Sequence, residues 1–81
     1  MRKHTIDTAS YDNYYLAFRA ATKAGMKVIE EYRANCFKSY HLEIETTAPG
    51  QEDLLHLIAN ATFYAPGRDK LVKQLNDYIF A

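Results

Sequence analysis

The hydrophobic pattern of this chain changes its period between residues 40 and 62. Residues 40–45 alternate between apolar and polar side chains, and after a turn at 48–50 the apolar side chains recur at helical spacing. The apolar positions are Tyr40, Leu42 and Ile44 in the first part and Leu54, Leu57, Ile58 and Ala61 in the second. Alternation is typical of a strand with one buried face, and the longer period is typical of an amphipathic helix. The segment therefore predicts a strand followed by a helix. The predicted centre of the core is Tyr40, Leu42, Ile44, Leu54, Leu57 and Ile58.

Weaker patterns flank this segment. Residues 1–8 alternate around Ile6 and predict a short edge strand. Residues 11–24 recur at helical spacing, either Ser10 or Asp12 suits the cap, and Gly25 suits the left-handed position after the last turn. A third helix, capped by Asp69, is predicted to run nearly to the C-terminus. The predicted apolar face of the first helix is Tyr11, Tyr14, Tyr15, Phe18, Ala21 and Ala24, and that of the third is Leu71, Val72, Leu75, Tyr78 and Ile79.

Residues 26–33 fit two structures. As a strand they would form an antiparallel hairpin with residues 37–46, through a turn at 34–36. As a helix they would continue the first helix through Gly25, at a cost of about 0.5–1 kcal/mol for the glycine. The stop signal at Gly25 favours the strand. We therefore predict an α+β domain over residues 1–81, with a short edge strand, a helix, an antiparallel β-hairpin and two C-terminal helices packed on one face of a small sheet. The alternative is a mostly α bundle.

Charge and cysteine content limit the expected partners and location of the protein. The 81 residues carry ten basic and ten acidic side chains, so the chain has no overall charge that would attract nucleic acid. Near-neutral charge also removes one source of repulsion between copies and favours a homodimer over a monomer. The single cysteine, Cys36, forms no internal disulfide, and the N-terminus carries no signal-peptide pattern, so a cytoplasmic location is expected. No apolar run approaches the roughly 20 residues of a membrane span.

Side chains with catalytic or metal-binding chemistry are sparse. His41, Glu43 and Glu45 share one face of the predicted strand, but they lie about 7 Å apart, which is far for ligands of one small ion. Cys36 has two candidate bases, His41 and His56, without any nucleophile motif around it. The sequence therefore predicts no catalytic residue, no metal site and no cofactor.

A protein-binding role is the function that the sequence favours. Tyrosine and arginine are enriched at interface hot spots, and Tyr11, Tyr15 and Arg19 lie together on the first predicted helix. We expect a non-catalytic adaptor, inhibitor or regulator of another protein, of the size that viruses and mobile elements often encode. The alternative is a small nucleic-acid-binding protein that uses a basic helix face formed by Arg19, Lys23 and Lys27.

Overall fold

The structure is a computed structural model, and it describes residues 2–33, 39–63 and 66–81. Within these residues the chain forms three strands and three helices in the order βαββαα. The strands are β1 (Lys3–Thr8), β2 (Lys27–Arg33) and β3 (Ser39–Glu45). The helices are α1 (Tyr11–Lys23), α2 (Glu52–Ala61) and α3 (Arg68–Ile79). The predicted α+β class is confirmed, and the turn predicted at 34–36, with Cys36, lies outside the described residues.

The strands form one antiparallel sheet in the order β1-β3-β2. Ile6 of β1 lies opposite Leu42 of β3, and Val28 of β2 lies opposite Ile44. Alternation places these four residues on one face, where Ile6, Leu42 and Ile44 are buried. The other face carries polar residues of β3, including His41 and Glu43, and is open to solvent. The predicted hairpin partners and the predicted edge position of β1 are both confirmed.

Helix α1 lies against all three strands and against both other helices. The side chains that it buries are small, Ala17, Ala20 and Ala21, together with Asn13. Small residues allow close approach on several sides, which explains why the most enclosed helix presents alanines inward. The predicted apolar face therefore coincides with the buried face only in part: Ala21 is buried, and Tyr14, Phe18 and Ala24 are partly buried against the core. Tyr11 and Tyr15 are exposed, because the buried stripe lies to one side of them.

Of the two C-terminal helices, α2 lies nearer the sheet and α3 lies farther from it. Helix α2 contacts β1 and α1, whereas α3, among the described residues, contacts α1 and α2 but not the sheet. Helix α2 buries Leu55, Ile58 and Ala61, while Leu54 and Leu57 are only partly buried. The prediction that Leu54 and Leu57 lie at the centre of the core is wrong, because the core turns toward Leu55 to meet α1. Helix α3 buries Leu75 and Ile79.

Backbone geometry at the ends of the helices decides the remaining alternatives. Gly25 has φ 79°, and the N–H of Met26 donates to the carbonyl of Ala21 at 3.0 Å. This is a Schellman motif, which ends α1 and excludes a helix continuing into residues 26–33. Ser10 is the cap of α1, since its hydroxyl accepts from the N–H of Asn13 at 3.3 Å. The predicted cap at Asp69 is wrong: α3 begins at Arg68, after a glycine with left-handed φ.

The loop between β3 and α2 is fastened to the end of α1 by polar side chains. Gln51 accepts from the N–H groups of Thr47 at 2.7 Å and Ala48 at 3.2 Å, and its amide donates to the carbonyl of Ala24 at 2.9 Å. The Thr47 hydroxyl donates to the carbonyl of Gly25 at 2.9 Å. These bonds satisfy carbonyls that the end of a helix leaves without partners. They also fix where α2 starts relative to α1.

Candidate protein-binding surface

Aromatic side chains of α1 and one of β3 form a cluster beside the buried alanine face of the helix. We call the set Tyr11, Tyr14, Tyr15, Phe18 and Tyr40 the aromatic flank. It exists because α1 directs its alanines into the core, which leaves the larger side chains beside the buried stripe. Tyr40 joins from β3. The flank therefore exists because the buried face of α1 is the one that carries small side chains, which leaves the aromatic side chains outside the core.

The rings of the flank are in mutual contact. The Tyr14 and Tyr40 rings stack with their centroids 4.9 Å apart, and Tyr11 meets Tyr40 edge to face at 5.6 Å. Tyr11 stacks on Tyr15 at 5.9 Å, and Tyr14 stacks on Phe18 at 6.2 Å. Such pairs contribute roughly 0.5–1.5 kcal/mol beyond their buried area. The flank is therefore a connected layer of rings rather than a scatter of exposed tyrosines.

Tyr14 ties this layer to the sheet. Its hydroxyl donates a hydrogen bond to the carboxylate of Glu30 on β2. Burial, followed by the bond to Glu30 and the nearby charge, raises the pKa of Tyr14 to about 12. Glu30 lies on the covered face of the sheet but near its edge, so its side chain remains exposed. The contact fixes the α1 rings over the outer strand.

The outer part of the flank is available for binding. Tyr11 is 55% exposed and Tyr15 is 41% exposed. The guanidinium carbon of Arg19 lies 5.8 Å from the centroid of the Tyr15 ring, which places the cation over its face. Two tyrosines held by other rings, with an arginine stacked beside them, form an anchor set with little conformational freedom left to lose on binding.

Two shallow hollows adjoin this anchor set along the seam between α1 and α3. One, of about 300 Å³, is lined by Asp12, Tyr15, Leu16, Val72 and Asn76. The other, of about 280 Å³, is lined by Arg19, Thr22, Lys23 and Ile79. Because Tyr15 and Arg19 touch each other and line one hollow each, the anchor set stands at the rim of a grooved surface.

A larger hollow of about 530 Å³ opens between the C-terminal ends of α1 and α3, at Ala24 and Tyr78, and the first turns of α2. Leu54 and Leu57 form its apolar floor, which explains why these two leucines are only half-buried. Gln51 and Asp53 stand at its rim. Gln51 is already bonded to the loop and to α1, so the hollow lacks the converging free polar groups of a small-molecule site.

The basic residues of the nucleic-acid hypothesis do not form one stripe. Lys23 donates from Nζ to the carbonyl of Tyr78 at 2.5 Å and lies 4.9 Å from the centroid of that ring. It thereby caps the C-terminal end of α3. Lys27 begins β2 and lies opposite Glu45, on the open face of the sheet, whereas α1 covers the other face. Only Arg19 and Lys23 remain together.

The polar face of β3 is engaged in cross-strand pairs. The Lys3 ammonium binds Glu43 at 2.5 Å, and this hydrogen bond holds the pKa of the Glu43 carboxyl below its ordinary value. Nδ1 of His41 lies 2.9 Å from a carboxylate oxygen of Asp7. Within the described ranges, no group of three or more potential ligands is arranged to hold a metal ion. The Cys36 pairings with His41 or His56 fall outside the described residues.

Sequence reasoning proposed Tyr11, Tyr15 and Arg19 as binding residues and assigned no binding role to Tyr14, Phe18 or Tyr40, which contact Tyr11 directly or through one another. It also missed that Glu30 is the partner of Tyr14. A signal for this contact was present, since Glu30 is the acidic residue on the strand face that also carries Val28. An acidic residue on the covered face of a strand needs a partner, and a tyrosine hydroxyl is a suitable donor.

Comparison with protein-family models, with curated proteins and with solved structures gives no match to this chain. In the part of the chain that the structure describes, no helix combines the length and the apolar character needed to cross a membrane.

Proposed function

We propose that this protein is a non-catalytic binding module that regulates another protein, as an adaptor or inhibitor, through Tyr11, Tyr15 and Arg19. The observation that carries the proposal is the exposed anchor set on a rigid helix, with Arg19 stacked on Tyr15 beside grooves along α3. Tyrosine and arginine held in this way are the residues that most often dominate protein interfaces. The single cysteine agrees with action in the cytoplasm.

The support comes from rigidity as much as from residue type. Tyr11 is held by three ring contacts, with Tyr14, Tyr15 and Tyr40, and yet remains more than half exposed. A solvent-exposed ring that is already ordered loses little entropy when a partner covers it. The partner that fits has an apolar or aromatic patch opposite the tyrosines and a carboxylate opposite Arg19, since guanidinium pairs with carboxylate in a bidentate geometry.

The test compares partner capture by the wild-type protein with capture by two variants, Tyr15→Ala and Arg19→Glu. A protein retained by the wild type is identified and purified, and its affinity is measured directly by calorimetry. Hot-spot residues predict a loss of about tenfold or more for each variant. Phe80→Ala is the matched control, because Phe80 is 71% exposed and lies outside the flank. Equal affinity of all four proteins for the purified partner would overturn the proposal.

The nucleic-acid hypothesis gains no support from the described residues. Lys23 donates a hydrogen bond to the C-terminal end of α3, and Lys27 lies on the face of the sheet away from α1. Arg19 is therefore not joined by these two lysines in a row of cations. Binding of oligonucleotides that weakens steeply with salt and is abolished by Arg19→Glu would nevertheless decide for that hypothesis.

A further inference from the structure

Strand β2 has an unpaired outer edge. Among the described residues β2 pairs with β3 alone, and the helix that approaches it is α1. Along Lys27–Arg33, no described strand bonds to the backbone N–H and C=O groups on the side away from β3. Such an edge is a template for pairing with another strand unless charges, bulges or covering elements protect it.

The opposite edge, β1, is protected in this way. Lys3 and Asp7 on its open face are already paired with Glu43 and His41 of β3. Helix α2 lies beside β1, and Thr5 is the polar residue between the two charged positions. Strand β1 therefore offers a second strand neither free charges nor an apolar contact.

Strand β2 differs at each of these points. Ile29 lies on the open face at its centre and is 49% exposed, although it is a β-branched residue suited to packing in a sheet. Lys27 is exposed on the same face and makes no ion pair with any described residue. The sequence places Glu31 as far beyond Ile29 as Lys27 lies before it.

We propose that two copies of this chain pair antiparallel through β2, with the two-fold axis at Ile29, to form one continuous six-stranded sheet. In this register Ile29 meets Ile29 of the second copy, and Lys27 lies opposite Glu31 of the second copy on both sides of the axis. Opposite charges on facing strands favour pairing, and like charges disfavour it. A register centred one residue later, at Glu30, would instead place Glu30 against Glu30 and Lys27 against Arg33. The charge pattern therefore selects the axis at Ile29.

The covered face of the sheet agrees with this register. Val28 then lies opposite Glu30 of the second copy, and Glu30 accepts a hydrogen bond from Tyr14 of its own α1, whose ring stacks on Phe18. Three strand spacings, about 14 Å, separate the two β3 strands in such a sheet, and α1 lies over the strands of its own copy. Tyr14 is the aromatic residue of α1 that contacts β2, so its side of the flank lies nearest to the second copy. Pairing would thus cover the inner half of the aromatic flank and leave Tyr15 and Arg19 outside.

The first measurement is the mass in solution by light scattering or sedimentation, at micromolar to submillimolar concentration. We expect a concentration-dependent rise from 9.3 kDa to twice that value. Ile29→Lys should weaken dimerisation by about tenfold or more, because two lysines then meet at the axis. The same change should not lower the stability of the monomer, since residue 29 lies opposite Glu43 in the sheet and a lysine there faces a carboxylate. Phe80→Lys is the control, and its mass at each concentration should equal that of the wild-type protein.

A crosslink tests the register independently of affinity. In a Cys36→Ser background, Ile29→Cys should oxidise to a disulfide-linked dimer, since directly opposed residues bring their Cβ atoms within about 4.5–5.5 Å. Val28→Cys should not, because position 28 lies opposite position 30 of the second copy. A mass of 9.3 kDa throughout, or a dimer unaffected by Ile29→Lys, overturns this interface. Neither result bears on Tyr15 and Arg19, so this inference and the proposed function fail separately.

Discussion

Removing the Tyr14 hydroxyl tests the contact that fixes the aromatic flank over β2. Tyr14→Phe keeps the ring and its stacking on Tyr40 and Phe18 but deletes the hydrogen bond to Glu30. A hydrogen bond to a charged group contributes about 1.5–3 kcal/mol when shielded, and an exposed charged pair contributes about 0.2–1 kcal/mol. Tyr14 is half-buried and Glu30 is exposed, so we expect a loss of about 1 kcal/mol in the free energy of unfolding.

The assay is urea and thermal denaturation of four proteins: wild type, Tyr14→Phe, Glu30→Ala and the double variant. For a domain of this size about 1 kcal/mol corresponds to a fall in Tm of roughly 5 °C. The coupling between the two positions should also be about 1 kcal/mol, because both single changes remove the same bond. A coupling below about 0.3 kcal/mol would show that the bond does not hold α1 to β2, and the reasoning would be refuted.

The pH dependence of stability gives a second readout of the same bond. The pKa of Tyr14 is raised from 10.0 to about 12 in the folded protein, so folding favours the neutral phenol. Its contribution is fully present below the unfolded pKa and is lost as the pH rises from about 10 through about 12. Lys3, whose pKa is raised by its hydrogen bond to Glu43, also loses its contribution at alkaline pH, but equally in both proteins. The stability difference between wild type and Tyr14→Phe should therefore shrink over this range.

Four further substitutions test the fold. Ile58→Ala should lower the free energy of unfolding by about 2–5 kcal/mol, because Ile58 is fully buried. Leu57→Ala should lower it by only about 1–2 kcal/mol, since Leu57 is partly exposed. Equal losses for the two variants in urea denaturation would contradict this packing. Gly25→Ala should cost about 1 kcal/mol through its φ of 79° alone, as no atom lies within 4 Å of the added Cβ, and an unchanged Tm would contradict that geometry. Lys23→Met should lower stability by about 0.5–1 kcal/mol, because the carbonyls at the end of α3 lose a cation, and the loss should diminish in high salt.

The sequence was sufficient to predict the features of the fold that are set by local backbone conformation. Alternation in residues 40–45 located β3, with Leu42 and Ile44 buried as predicted. The glycine at position 25 decided between helix and strand for the residues that follow, because its left-handed conformation ends α1. These features follow from local geometry, and local geometry is encoded by neighbouring residues.

The sequence was insufficient to predict which face of a helix is buried, because that depends on which other elements pack against the helix. The large rings of α1 dominate its hydrophobic pattern, but the face that is enclosed carries Ala17, Ala20 and Ala21, which contribute little to that pattern. The alanines are selected because strands and two helices approach α1 together. Leu57 was assigned to the core centre for the same reason, since periodicity identifies an apolar arc and not the part of it that is covered.

The same packing explains why the candidate surfaces adjoin. Enclosing the alanine face leaves the rings beside it, and the bond from Tyr14 to Glu30 joins them to β2, so the partner surface and the open strand edge are connected through Tyr11 and Tyr14. A β2-paired dimer would display two copies of Tyr15 and Arg19 on one side of a single sheet. Ile29→Lys should then leave intrinsic affinity for a monovalent partner unchanged but lower the apparent affinity for a partner immobilised at high density. Loss of both affinities would mean that partner and second copy compete for the same edge.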